Sequence, residues 1–199
     1  MDLNKLNKDA RIVFLLLLTQ LVQDKLVDSE GYELALDALQ HCWDWVLYKN
    51  IKGFDLYYFM GNDDGNDVTT FSMLLGLREE EKRAWTCVDV VLSITIHNAF
   101  ELENQRYVPE DIESLCVEEE MNKTLECFWK SFTEIYKNTA IVDKLFDFMA
   151  ANYPNGSDKR IYKEDLKTCF DLISCSELDV KILNISDKEQ GLGVMLRDL

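Results

Sequence analysis

The stretch AWTCVDVVLSITI, residues 84–96, is apolar on almost every side when wound as a helix at about 100° per residue. A helix of that kind cannot lie on a surface, so residues 79–103 predict a central, buried element that other helices must enclose. Two prolines and eight glycines in 199 residues leave little punctuation for many short strands. The expected fold is therefore all-α, a single-domain irregular bundle of about six to eight helices around residues 79–103. A hydrophobic share of 47% with 11% aromatics is enough for a real core and sets the chain apart from a disordered acidic tail. Residues 1–199 read as one helical domain without internal repeats, with 185–199 as a loose C-terminal tail.

The flanking segments supply the enclosing helices. Residues 12–18 are wholly apolar and follow Lys5, Lys8 and Arg11, as a signal peptide would. No small-x-small cleavage site follows, and Leu21, Val22 and Leu26 continue at helical spacing, which predicts a buried helix over residues 6–26. Seven apolar residues cannot span a bilayer. A second helix is expected over residues 32–48, capped by Asp28 or Ser29, with Glu33, Asp37, Gln40, His41, Asp44 and Tyr48 on one polar stripe. Trp43 should be core, and Trp45, at the border of that stripe where an aromatic can be half exposed, is expected in the core as well. Further helices are expected around GFDLYYFM, over residues 68–77 after a cap at Asp67, and over 118–137, 139–151 and 163–174. Glu119 and Glu126 fall four residues before Lys123 and Lys130, and Glu134 falls three before Lys137, a pattern of ordinary solvated surface. DVKILNIS, residues 179–186, alternates enough for a short extended piece.

The search for chemistry returns mostly negatives. In GNDDGND, placing Gly65 or Gly61 at the sixth position of a calcium loop makes Met60 or Leu56 the first ligand, and neither offers oxygen. The loop reads as a turn built by Asn and Asp side chains. Cys42, Cys87, Cys116, Cys127, Cys169 and Cys175 form no CxxC pair and read as reduced core cysteines. Thr86, Asp89, Ser93 and His97 share a stripe of one helix, but Asp89 and His97 lie about 12 Å apart along its axis, too far for a triad. They read as a hydrogen-bonded polar seam between helices. There is no ExxD, no GxxxxGK[ST], no GxGxxG and no GxSxG, and His41 and His97 are the only histidines.

Charge is concentrated. Residues 28–70 hold nine acids against two bases and residues 101–120 hold eight against one, so these two blocks carry nearly all of the net −16. Clustered Lys and Arg are missing, which disfavours direct contact with nucleic acid. Two such blocks point instead to a partner with a basic surface.

The run HCWDWVLYKNIKGFDLYYFMGNDD, followed by AWTCVDVVLSIT and VPEDIE, resembles an all-α immunity-protein family of bacterial polymorphic toxin systems, the one numbered six in its series. The similarity covers roughly residues 30–155, and the N-terminal helix adds little to it. The resemblance implies a cytoplasmic, stoichiometric inhibitor that binds the C-terminal domain of a cognate toxin. It supplies no catalytic residue and no cofactor or metal. Toxin domains of such systems are often nucleases or other nucleic-acid-modifying enzymes with basic clefts, which an acidic protein can occupy. The positions carried over are Trp43, Asp44, Trp45, Asp55, Tyr57, Tyr58, Asp63 and Asp64. With Glu33, Asp37 and Asp67 of the first acidic block and Glu110, Asp111, Glu113, Glu118, Glu119 and Glu120 of the second, they form the expected toxin-binding set. An acidic helical adaptor or regulator, and an enzyme built on scattered carboxylates, remain open alternatives.

Overall fold

A computed structural model of the chain describes residues 1–174. The fold is all-α: α1 (Lys8–Gln20), α2 (Tyr32–Tyr48), α3 (Gly53–Met60), α4 (Val68–Ser72), α5 (Glu79–Glu103), α6 (Glu110–Glu113), α7 (Glu118–Ile135), α8 (Thr139–Asn152) and α9 (Lys163–Ser174). The expected extended piece at 179–186, the tail at 185–199 and Cys175 lie outside the described residues. Among those described, no helix is long and apolar enough to cross a membrane.

Helix α5 is the axis, as its all-round apolarity requires. Every residue from Val90 to Phe100 is buried, and α1, α2, α3, α4, α6 and α7 all pack against it. Four of its hydroxyl and amide side chains are satisfied by bonding back one turn. Thr86 Oγ1 donates to Lys82 O at 2.9 Å, Ser93 Oγ to Asp89 O at 2.8 Å, Thr95 Oγ1 to Val91 O at 2.7 Å and Asn98 Nδ2 to Ile94 O at 2.7 Å. The expected seam between helices is thus largely internal to α5, with cross-helix contacts from Ser93 Oγ to Met60 Sδ at 3.7 Å and between Thr95 and Cys42 of α2.

Several element ends differ from expectation. Helix α1 stops at Gln20, and residues 23–26 form a 3-10 turn. The apolar spacing continues because Leu21, Val22 and Leu26 are buried through that turn. Helix α2 begins not at a side-chain cap on Asp28 or Ser29 but at Gly31, in the left-handed region at φ 83°. A Cβ on Gly31 would lie 2.5 Å from the ring of Phe71, so the close approach also demands glycine. Helix α4 is capped by Asp67 as expected but ends at Ser72, and Leu75 in the following loop is fully exposed. The acidic run 110–116 forms a short helix and a 3-10 turn of its own ahead of α7. On α7 only Glu119 pairs with its lysine, Lys123, at 2.9 Å. Glu134 instead reaches Arg83 of α5, and Lys137 donates to Thr133 O. Cys42, Cys87 and Cys169 are buried, but Cys116 and Cys127 are exposed, against the expectation of core cysteines.

Candidate functional site

The two acidic blocks, separated by residues 71–100 in sequence, meet on one side of α5. Helix α3 lies antiparallel to α5, with Gly53 against Phe100 and Met60 against Ser93. A Cβ on Gly53 would sit 2.4 Å from the Phe100 ring, so glycine lets the two helices close. Glu103 Oε1 accepts the Gly53 backbone N–H at 2.7 Å, placing a carboxylate at the positive end of α3. After α5 the chain turns back at Asn104, left-handed at φ 51°, and α6 returns along the same helix. There the Tyr57 hydroxyl donates to Asp111 Oδ1 at 3.5 Å, joining block 28–70 to block 101–120. The Tyr57 hydroxyl is pushed up first by burial and then by the Asp111 charge.

The polar stripe of α2 borders this face. His41 packs on Phe59 of α3 with ring centroids 4.7 Å apart, which sets Glu33, Asp37 and Asp44 beside α3. Glu33 and Asp37 are exposed, and Asp37 Oδ1 lies 3.4 Å from His41 Nδ1. Asp44 is half-buried and accepts from Gln40 Nε2 at 3.1 Å; burial raises its carboxyl, opposed by Gln40 and His41.

Beyond α3 the 61–67 loop is organised by Asn62. Its Oδ1 accepts from Asp64 N and Asn66 N, and its Nδ2 donates to Tyr58 O and Asn66 O. The Asx-bonded turn accounts for the composition without an ion. Asp63 and Asp64 point to solvent, with Tyr58 donating to Asp64 Oδ2 at 3.5 Å. Asp67 does not share their role: it is 3% exposed and bonds Asn62 N, Thr70 N and Thr70 Oγ1. That carboxylate is a buried helix cap.

Trp45 is likewise withdrawn from the surface. At 3% exposure it belongs to the core, and Lys49 Nζ covers its ring 3.4 Å from the centroid while pairing with Asp9 at 2.6 Å. Trp43 is buried as expected. Exposed aromatics of this region include Tyr48 at the end of α2, Phe54, Tyr58 and, in the α5–α6 turn, Tyr107.

Within the second block the structure separates the candidates. Glu110, Asp111 and Glu113 sit on α6 beside α3, whereas Glu119 and Glu120 are both held by Lys123, at 2.9 and 2.8 Å. Glu118 is exposed at the start of α7. Among the described residues, none of Glu33, Asp37, Asp44, Asp55, Asp63, Asp64, Glu110, Asp111 and Glu113 forms an ion pair with Lys or Arg. Such a face carries uncompensated repulsion in the free protein.

Asp89, which the sequence places in the α5 polar seam and not in the toxin-binding set, joins these acids. It lies on α5 under α6, and burial, followed by the charge of Asp111, pushes its carboxyl up to about 6. The legible signal is a lone acid within the apolar 84–100 stretch of α5.

A family model described as immunity protein Imm6 matches residues 10–136, well over half of the chain. The match begins in α1 and ends at the residue capping α7, so it contains the acidic face and the helices seated on α5. Helix α1 therefore belongs to the matched region, and α8 falls outside it, in contrast to the 30–155 span suggested by the short motifs. Neither the curated proteins nor the solved structures contain a match.

Proposed function

The chain belongs to the Imm6 immunity-protein family, and from that membership we propose that it binds the C-terminal domain of the toxin encoded beside it and holds that domain inactive, one inhibitor per toxin. The mode of binding rests on one observation, the junction of the two acidic blocks at Tyr57 and Asp111. Carboxylates from α2, α3, α6 and the 61–67 loop add their fields on one face, and no lysine or arginine among the described residues forms an ion pair with them. A basic surface fits that face, and the basic cleft of a nuclease or other nucleic-acid-targeting toxin is a surface of this kind. Complementary fields speed encounter, and the exposed rings of Phe54, Tyr58 and Tyr107 then supply contact area once water is displaced. The protein acts as a ligand, with no cofactor and no reaction of its own, in the cytoplasm where the producing cell needs protection.

Titration of the toxin domain's activity with the protein, alongside calorimetry, tests this reading. Activity should vanish at one equivalent with a matching binding isotherm. Full activity at large excess of the protein would overturn it.

A further inference from the structure

One concavity on the acidic face lies between the first turns of α2 and the segment that runs from the 61–67 loop into α4. Its volume is about 540 Å³, inside the ~300–1,000 Å³ range of ligand pockets. Glu33, Asp37 and Asn66 rim it, and Tyr32 and Phe71 contribute to its floor. Glu33 and Asp37 stand one helical turn apart on the same side of α2. Neither pairs with a lysine or arginine among the described residues, and no base is among the residues lining the groove.

The walls are preformed. Phe71 is held between Gly31 and the ring of Trp85, stacked at 6.0 Å and 17°, and the backbone of Asn66 is tied at both N–H and C=O to Asn62. We propose that this groove receives an arginine side chain of the toxin domain. The inference rests on the neutralising function above. Arginine fits better than lysine because its planar fork can meet two carboxylates a turn apart, its five donors can also reach the Asn66 side-chain carbonyl, and its weakly hydrated plane packs on the Tyr32 ring. An arginine so placed is an anchor and acts on the lifetime of the complex.

Dissociation kinetics from the toxin domain test the assignment. The double variant Glu33→Gln/Asp37→Asn removes both charges at exposed positions, and Asn66→Trp fills the groove while keeping the backbone bonds to Asn62. Glu126→Gln/Asp143→Asn, on the exposed faces of α7 and α8, removes the same charge elsewhere. Both groove variants should dissociate about tenfold faster than wild type, with the control unchanged. Among arginine-to-alanine variants of the toxin domain, one should lose its effect in the Glu33→Gln/Asp37→Asn background. If wild type binds but the groove variants match the control, the groove assignment falls while the function stands. Failure of wild type to bind removes both. Full retention of the coupling by lysine at the toxin position overturns the choice of arginine.

Discussion

Replacing Asp89 with asparagine should stabilise the free protein at neutral pH. Asp89 lies partly buried on α5 with Asp111 above it, and its carboxyl titrates at about 6, against ~3.9 for an aspartate in an unfolded chain. A folded-state value above the unfolded one means that the native state binds more protons between about pH 4 and about pH 6. Stability from this group is therefore present below that window and falls as pH rises through it. Roughly two pK units at ~1.4 kcal/mol each set a ceiling near 3 kcal/mol, and the water that still reaches the side chain brings the expected loss to about 1–3 kcal/mol. Asparagine keeps the shape and removes the charge. Urea unfolding of both proteins, at neutral pH and at about pH 4, measures the difference. The Asp89→Asn substitution should raise the midpoint at neutral pH, and the advantage should disappear in acid. Glu81, held low by its bonds from Arg78, loses stability in the opposite direction on acidification, but it does so equally in both proteins and cancels in the comparison. A variant no more stable than wild type at neutral pH, or a difference independent of pH, would refute the argument. A basic partner should return the loss, so the complex should gain more stability over free protein for wild type than for the variant.

Two further outcomes follow from the loop and the start of α2. Asp67→Ala should cost about 1–2 kcal/mol, because it removes the cap of α4 and strands the donors it satisfies, whereas Asp63→Asn/Asp64→Asn should stay within about 0.5 kcal/mol; thermal melts separate them. Gly31→Ala should cost more than about 1 kcal/mol, since φ 83° is strained for a residue with a Cβ and that atom would collide with Phe71. A melt matching wild type would contradict the packing given for the groove wall.

Amphipathic periodicity made α2 and α9 legible and all-round apolarity made α5 legible, because each dictates one relation to the core. The ends of α1 and α4 were not legible from the same signal. Leu26 is buried through a 3-10 turn at helix-like spacing, and Met73 and Leu75 extend an apolar pattern while standing in solvent. The acids could be counted from sequence, but their grouping could not. Their meeting depends on α3 lying antiparallel on α5 and on the turn at Asn104, both non-local. Asp63, Asp64 and Asp67 look equivalent in GNDDGND, yet only the cap geometry shows that the third is structural. Trp45 sits at a stripe border where periodicity is silent, and Lys49 decides its fate by covering it.

The central claim is that the face shared by α2, α3, the 61–67 loop and α6 meets a basic surface of the toxin domain. Stopped-flow association of the toxin domain with wild type and with Asp55→Asn/Glu110→Gln/Glu113→Gln, at low and high salt, tests it most directly. All three positions are exposed, so the melting temperature should not move. The variant should associate about tenfold more slowly than wild type at low ionic strength. The two rates should converge as added salt shortens the Debye length to a few ångströms. Equal association rates for the two proteins at both salt concentrations would place the toxin elsewhere and contradict the account.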